Sequence, residues 1–155
     1  MKVKDFSINE FCASSTAYRL RIDNSLPDDL TDQAMATLAM LQRIRDHLSS
    51  VAGKDVPVLI SSGYRSPALN RAVGGADTSD HLRGCAADIR APVFGSAMNV
   101  ARELAKNIDA LGIGQLINEH PGDRGWVHVS TRKPSKLINR IITISGEGTR
   151  VGVVS

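Results

Sequence analysis

The sequence predicts a single domain that combines α-helices with β-strands. A chain of 155 residues is long enough to bury one hydrophobic core. Two long stretches repeat apolar residues at steps of three and four, which indicates amphipathic helices, while shorter apolar or alternating runs indicate strands. Aromatic residues make up only 4% of the chain, so the core must be built mainly from Leu, Ile, Val and Ala.

The N-terminal third is dominated by one predicted helix. Apolar spacing is irregular over residues 1–24, where we expect a short extended arm and one helical turn. A helix over about 28–51 follows, with Ser25 as its cap, Pro27 in its first turn and Gly53 at its end. Its apolar positions are Ala34, Leu38, Leu41, Ile44, Leu48 and Val51.

A strand, a short helix and a second strand come next. Residues 56–61 are mostly β-branched and apolar, which predicts a buried strand. The Ser-Pro pair at 66–67 is typical of a helix start, and this helix is expected to end at the glycines 74–75. Residues 85–89 are mostly small, so we expect a strand that packs closely against its neighbours.

The sequence pattern of the C-terminal part predicts one helix followed mostly by strands. Ser96 can cap a second amphipathic helix, which Gly112 closes. The strands are expected at 113–119, 126–130, 138–144 and from 151 onward. The first two of these would form a hairpin with a slightly long loop.

The composition argues against several classes of protein. The formal charge of +3 is only mildly basic, and no dense basic stripe with interleaved aromatic residues appears, so we expect no nucleic-acid partner. Two cysteines, Cys12 and Cys85, are too few for a disulfide framework and are expected to be reduced. No run approaches the roughly 18 apolar residues of a membrane span, and the N-terminus lacks the apolar run of a signal peptide. We therefore expect the protein to be made in a cytoplasm without its own export signal, and we expect it to be a monomer.

Two histidines and one aspartate are the strongest candidates for chemistry. His81 and Asp88 lie seven positions apart around Gly84, where the backbone can turn, and His128 follows 40 positions after Asp88. Because side chains alternate along a strand, His128 can face a cleft at the sheet surface while the flanking valines anchor the strand in the core. Two imidazoles and one carboxylate leave a coordination position open, which is typical of a catalytic zinc site. The sequence therefore predicts one zinc ion held by these three residues.

The other candidate ligands fit different roles better. His47 lies on the long helix and is expected at the surface. His120 falls in the predicted hairpin loop and is expected to be solvated. Cys85, four residues after His81, is expected to be a small buried thiol, because it lies in a closely packed strand.

A zinc hydrolase also needs a general base and a group that stabilises charge on the substrate oxygen. Glu119 ends the strand that precedes the His128 strand, and Asp123 lies in the following loop. We favour Glu119 because a strand end positions a carboxylate better than a loop does, and Asp123 remains the alternative. Arg65, at the exit of the 56–61 strand, carries a forked guanidinium suited to a planar oxyanion.

Four motifs in order carry a resemblance to a known family. They are the segments 62–67 (SGYRSP), 70–75 (NRAVGG), 79–88 (SDHLRGCAAD) and 126–130 (WVHVS). Together they resemble the zinc D-Ala-D-Ala carboxypeptidase-like metallopeptidases, and within these the small phage-encoded peptidoglycan peptidases of the endolysin type. The similarity runs from Phe6 through the strand after residue 138.

The resemblance implies an α+β fold with a central antiparallel sheet and helices packed around it. It also implies that His81, Asp88 and His128 bind zinc and that Arg65 polarises the substrate. The implied reaction is hydrolysis of D-amino-acid peptide bonds in peptidoglycan stem peptides or cross-links, by a D,D-carboxypeptidase or an endopeptidase. A phage protein of this kind would act at the cell wall, either after release or as part of a virion.

One position departs from the family pattern. Several members of the wider family carry the catalytic carboxylate three residues before the last histidine, and that position is Gly125 in this chain. The base must then be Glu119 or Asp123, or the protein is a weakly active zinc-binding relative that serves as a wall-binding or structural component of a virion. Ser79 and Asp80, just before His81, are weaker candidates for orienting ligands or substrate.

Overall fold

The computed structural model describes residues 3–120 and 124–155. Within them the chain forms five α-helices: α1 (Ile8–Cys12), α2 (Ser15–Leu20), α3 (Thr31–Ala52), α4 (Pro67–Ala72) and α5 (Ala97–Lys106). Short 3₁₀ segments occur at Asp28–Leu30, Asp80–Arg83 and Leu137–Asn139. The second of these leads into the sheet and carries a candidate metal ligand.

Six strands form one sheet. They are β1 (Leu59–Ser62), β2 (Ala86–Arg90), β3 (Gln115–His120), β4 (Trp126–Ser130), β5 (Ile141–Ser145) and β6 (Gly148–Val151). Their spatial order is β1-β2-β4-β3-β5-β6, and every neighbouring pair is antiparallel except β3 and β5, which are parallel. The predicted α+β fold with a central, mostly antiparallel sheet is therefore confirmed.

The two faces of the central strands have different roles. Val127 and Val129 of β4 point into the hydrophobic core, together with Leu116 of β3 and Ile89 of β2. Helices α3 and α5 supply the rest of that core, mainly through Leu38, Leu41, Ile44, Leu48, Val100 and Leu104. The alternate residues of the same strands, including His128, point to the opposite face, as the alternation in the sequence predicted.

The predicted start of the long helix is wrong, whereas its end is confirmed. The 3₁₀ segment comes first, α3 begins at Thr31, and no side chain caps it. Ser25 instead donates its hydroxyl hydrogen to Asp23, because the aspartate lies only two residues away. At the other end Gly53 adopts φ 66°, the left-handed conformation that terminates many helices.

Three other expectations need correction. Residues 1–24 contain two short helices rather than one turn, because Ser7 and Ser14 accept hydrogen bonds from the first turns of α1 and α2. The strand predicted over 56–61 begins at Leu59 and lies at the sheet edge, so it is half exposed rather than buried. Helix α5 ends at Lys106, and turns lead from there to Gly112.

At the C-terminus the strand predicted over 138–144 begins at Ile141, after a 3₁₀ segment. The last strand ends at Val151 instead of starting there.

In the described part of the chain, no helix has the length and apolar character needed to cross a membrane.

Candidate metal centre

Three predicted ligands converge on one point of the sheet surface. His81, Asp88 and His128 each offer one ligand atom, and these atoms all lie within 4.8 Å of one another. His81 and Asp88 are buried, and His128 is half-buried. The spacing in the sequence correctly predicted that these three side chains would meet.

The sheet register explains why Asp88 and His128 meet. The two residues are directly paired across the β2–β4 ladder, so their side chains lie side by side on the same face. Their core-facing neighbours pair in the same ladder, Ala87 with Val129 and Ile89 with Val127. The hydrophobic pattern of both strands therefore fixes the register that brings the two polar side chains together.

His81 reaches the same point from outside the sheet. It lies in the 3₁₀ segment Asp80–Arg83, which ends at Gly84 with φ 68° before the chain enters β2. Ser79 begins this segment, and its hydroxyl accepts a hydrogen bond from the His81 backbone N–H at 3.3 Å. The turn at Gly84 thus folds His81 back over the strand that carries Asp88.

The hydrogen bonds of His81 fix its tautomer. Its Nδ1 lies 2.7 Å from the carbonyl oxygen of Gly63, which can only accept, so Nδ1 carries the proton. In the neutral ring Nε2 is then an acceptor, and it lies 3.3 Å from Oδ1 of Asp88. Two acceptors at this distance are stable only with a cation or a proton between them. His128 directs its Nδ1 at the same Oδ1 from 3.0 Å.

The chemistry of this donor set fits zinc. Two imidazole nitrogens and one carboxylate oxygen are ordinary zinc ligands, and a carbonyl partner on the far ring nitrogen is the usual way to orient a ligating histidine. Burial alone would raise the pKa of Asp88, but its interactions with His128 and His81 outweigh burial and hold this pKa well below its usual range. The carboxyl is therefore ionised, as a metal ligand must be.

Arg65 contacts the other oxygen of Asp88. Its Nη2 lies 3.3 Å from Oδ2 of Asp88, while its Nε donates to the Ser62 hydroxyl at 2.9 Å. One Asp88 oxygen thus faces the histidines and the other faces the guanidinium. Arg65 also lines the cavity above the cluster, so it lies at the predicted place and is already paired with a candidate ligand.

Glu119, the favoured candidate for the general base, lies at the site. It is half-buried at the end of β3 and lines the same cavity. Burial raises the pKa of its carboxyl and the Asp88 charge raises it further, while His128 and Arg65 act in the opposite direction. A carboxylate with a raised pKa is a better proton acceptor than an ordinary glutamate. Asp123, the alternative base, lies outside the described residues.

The cavity is an open cleft of about 560 Å³. The candidate ligands, Glu119 and Arg65 form its middle, and Trp126 lies beside Glu119 as its partner in the β3–β4 ladder. The opposite end is lined by Thr78, Ser79, Asp80, Arg132 and Lys133. The candidate metal ligands thus share one cleft with the carboxylates of Glu119 and Asp80 and with the cationic side chains of Arg65, Arg132 and Lys133.

The structure also shows the surroundings of the other two histidines and of Cys85. His47 is half-buried, not fully exposed, and its Nε2 lies 3.0 Å from Glu103. His120 ends β3 rather than lying in the loop, and its Nε2 accepts from the Asn118 amide at 2.9 Å. Cys85 is buried, as expected, and burial raises the pKa of its thiol.

Asp80 joins the two chain segments that carry the histidines. One of its oxygens accepts from the Ser130 hydroxyl at 2.7 Å, and the other pairs with Arg132. Ser130 lies two residues after His128 on the same face of β4, and Asp80 directly precedes His81. The contact therefore holds both histidine backbones in place, although no contact joins Asp80 to either imidazole.

Sequence reasoning missed the residues that support the Arg65 loop. Asn24 donates to the carbonyl oxygens of Cys12 and Tyr64 and accepts from the Ser66 backbone N–H. These partners lie up to 42 positions away, so no local pattern could indicate them. The only signal is an asparagine in a polar loop, which usually indicates a turn.

Comparison with known families supplies one match. A family model described as Peptidase M15 matches residues 4–130, a range that includes all three candidate ligands, Arg65 and Glu119. A search of curated proteins finds no matching sequence.

Proposed function

The chain belongs to the peptidase M15 family, and from that premise we propose that it is a zinc-dependent hydrolase of D-amino-acid peptide bonds in peptidoglycan stem peptides or cross-links. The family match confirms the resemblance to the zinc D-Ala-D-Ala carboxypeptidase-like metallopeptidases and indicates a metallopeptidase. The observation that supports the proposal best is the convergence of His81, Asp88 and His128 in one cleft with an acid and an arginine.

In this proposal His81, Asp88 and His128 hold the zinc ion. Zinc supplies Lewis-acid chemistry at such a site, because it polarises a carbonyl group and makes water more acidic. Gly63 orients His81 through its carbonyl oxygen, and Arg65 orients Asp88 through Oδ2. These two contacts thus fix the directions of the His81 and Asp88 donor atoms before substrate arrives.

Glu119 acts as the general base and then as the general acid. Its carboxylate takes a proton from the attacking water as the water oxygen bonds to the scissile carbonyl carbon. The protonated carboxyl then gives that proton to the amide nitrogen as the C–N bond breaks, which leaves a carboxylic acid and an amine. The half-buried position and raised pKa of Glu119 favour both transfers. Arg65 stabilises the negative charge that develops on the carbonyl oxygen.

The biological setting is a further part of the proposal. The resemblance to small phage-encoded peptidases supports a role in phage-mediated wall degradation, as a free endolysin or as part of a virion. Gly125 favours a second candidate, a weakly active zinc-binding relative that holds wall peptide without cutting it, since the usual position of the carboxylate is a glycine.

Digestion of purified peptidoglycan, followed by mass spectrometry of the products, tests the proposal. We expect zinc-loaded protein to release shortened or uncrosslinked peptides, and Glu119→Gln to lose at least about 100-fold of this activity, as expected for a lost general base. Glu10→Gln, at an exposed glutamate that does not line the metal-site cavity, is the matched control. Asp123→Asn tests the alternative base.

Metal analysis separates the two candidates. We expect about one zinc per wild-type chain and loss of zinc in Asp88→Asn and His128→Ala, with zinc retained in the control His47→Ala. Stoichiometric zinc without any cleavage would support the wall-binding candidate. Wild-type protein that binds no zinc and cleaves nothing would refute both.

A further inference from the structure

A second large cavity, which we call the apolar groove, lies away from the metal centre. It has a volume of about 680 Å³ and is bordered by α5, by the 3₁₀ segment Leu137–Asn139 and by the end of β6. None of the residues that line it also lines the metal-site cavity. Its apolar wall is formed by Ala105, Leu137, Ile138, Ile141, Val151 and Val153.

The apolar groove exposes aliphatic side chains to solvent. Leu137 is 69% exposed, Ile138 is 64% exposed and Val151 is 60% exposed. Among the large apolar side chains that the structure describes, only Tyr18 is more exposed. Single apolar side chains are normal on a protein surface, but three that line the same cavity indicate a binding surface.

Every charged side chain that lines the apolar groove is a cation. These are Arg102 and Lys106, one turn apart on α5, and Arg140, just before β5. Lys136 belongs to the adjoining segment 132–140, which contains four cations and no acid. The groove therefore combines an apolar wall with positive charge.

Two acids reduce this charge without cancelling it. Lys106 donates to Glu103 at 3.3 Å, and Arg140 pairs with Asp109 at 2.7 Å, but neither acid lines the apolar groove. Arg102 is exposed and forms no ion pair with any residue that the structure describes. The groove thus keeps a net positive charge and complements an anionic partner.

The composition of the apolar groove favours a bilayer over a protein as that partner. Protein interfaces are enriched in aromatic residues and depleted in lysine, whereas no aromatic residue lines the groove and Lys106 is exposed. A second copy of the chain that docked through the same groove would bring the cations of both copies together, which opposes association. Membrane-surface sites instead combine aliphatic side chains, which enter the acyl region, with lysines and arginines that meet anionic head groups.

We propose that the apolar groove docks the protein onto the surface of a bilayer that contains anionic phospholipids. Leu137, Ile138 and Val151 enter the acyl-chain region, and Arg102 and Lys106 contact the lipid phosphates. The protein lies on the bilayer and does not cross it. This inference goes beyond the proposed function, because the residues of the groove take no part in the reaction.

Co-sedimentation of the zinc-loaded protein with lipid vesicles tests the docking site. The anionic vesicles contain phosphatidylglycerol and phosphatidylcholine in equal amounts, and the neutral vesicles contain phosphatidylcholine alone. The test variant combines Leu137→Ser with Ile138→Ser. The matched control combines Val51→Ser with Leu59→Ser, because these two side chains are also exposed and do not line the apolar groove.

We expect the wild-type protein to bind anionic vesicles at least about tenfold more tightly than neutral vesicles, and added salt to weaken this binding by screening the charges. The test variant should bind anionic vesicles at least about tenfold more weakly than the wild type, while the control variant stays within about twofold. Lys106→Gln should also weaken binding, unlike Lys54→Gln at an exposed lysine outside the groove. This pair of lysine variants provides the same test if the serine variants do not fold.

Equal binding to both kinds of vesicle, or no binding to either, would overturn the inference, as would unchanged binding by the test variant. A dimer in sedimentation velocity that dissociates in the test variant would assign the apolar groove to a second copy of the chain instead. Binding of a synthetic acidic amphipathic helix, without vesicle binding, would assign it to a protein partner. Peptidoglycan digestion by the test variant should match the wild type, because neither Leu137 nor Ile138 lines the metal-site cavity. The proposed function and the docking site can therefore fail separately.

Discussion

A Cβ atom at Gly125 would lie 2.8 Å from the carbonyl oxygen of Glu119. Real side chains do not approach a backbone oxygen this closely, so β3 and the start of β4 leave no room for a side chain at residue 125. The family pattern that the sequence resembles predicts a carboxylate at that position. In this chain Glu119 lies on the neighbouring strand, and its side chain lines the metal-site cavity. The glycine at residue 125 therefore allows the start of β4 to pass close to the Glu119 backbone.

We predict that Gly125→Ala destabilises the protein by about 1–3 kcal/mol, the usual cost of forcing an extra methyl group into a packed site. Besides Glu119, the new methyl group would meet the Ala97 side chain at 3.4 Å. Urea denaturation measures the change in the free energy of unfolding. Gly146→Ala is the control, since its Cβ meets nothing within 4 Å. Equal stability of the two variants would show that the close approach at residue 125 relaxes at no cost.

A second prediction concerns Asn24, which is buried and joins three backbone segments. Its amide nitrogen lies 2.8 Å from the Cys12 oxygen and 3.0 Å from the Tyr64 oxygen, and its Oδ1 accepts from Ser66 N–H at 2.7 Å. Asn24→Ala leaves these buried groups without partners, so we expect a loss of about 2–4 kcal/mol in unfolding free energy.

Asn24→Ala should also lower peptidase activity more than zinc content, because Tyr64 and Ser66 flank Arg65. Asn99→Ala is the control: Asn99 lies on the exposed face of α5, and its loss should change stability by less than about 0.5 kcal/mol. Thermal melting and zinc analysis of both variants check this expectation. An Asn24→Ala protein as stable as the control would contradict the bridging role.

The sequence alone predicted those side-chain contacts that follow from the alternation of residues along a strand. His128 and Asp88 meet because each lies between core-facing residues, a pattern visible in the chain, and Glu119 ends the strand next to His128. The candidate zinc site also needs His81. Its short spacing to Asp88, with Gly84 between them, indicated that these two side chains could meet. These inferences depend on local periodicity and on a short loop.

Contacts between distant segments could not be predicted in this way. Gly63 orients His81 through its carbonyl oxygen, and Asn24 holds the loop of Arg65, yet both act through partners far along the chain. The edge position of β1 depends on which strands pair, and a run of apolar residues does not reveal it. Similarly, the parallel pairing of β3 with β5 joins strands that are separated by β4 in the sequence, and no hairpin signal indicates it.

The raised pKa of Glu119 predicts a pH-dependent effect on stability. Burial is its main cause, so the folded protein holds the Glu119 proton more tightly than the unfolded chain does. Ionisation of Glu119 therefore costs folding stability, and this cost develops as pH rises from the ordinary glutamate pKa of about 4.3 through the folded-state value. Glu119→Gln removes the cost, because a neutral amide does not ionise.

We accordingly expect Glu119→Gln to be more stable than the wild type above the folded-state pKa of Glu119, and the difference to disappear near pH 4. Both proteins are compared after chelation of metal, by thermal melting across this range. Glu103→Gln should behave in the opposite way, since a hydrogen bond with His47 lowers the Glu103 pKa. A constant difference at every pH would show that Glu119 does not titrate with a raised pKa.

The last prediction separates two roles of Arg65. The guanidinium contacts Ser62 through Nε and Asp88 through Nη2 at the same time, and the single ammonium group of a lysine cannot reproduce this fork. Arg65→Lys should therefore weaken zinc binding by about 10–100-fold, as is usual when a partner of a metal ligand is lost. Chelator competition measures this affinity.

Measurement of kcat at saturating zinc then isolates the contribution of Arg65 to the reaction itself. If Arg65 also stabilises charge on the substrate oxygen, kcat of Arg65→Lys should remain at least about tenfold below the wild-type value when every site holds zinc. Recovery of full kcat at saturating zinc would limit Arg65 to orienting Asp88. Arg71→Lys is the matched control, because Arg71 is exposed on α4 and forms no part of the cavity wall. An Arg65→Lys protein that matches this control in both zinc affinity and kcat would contradict both roles.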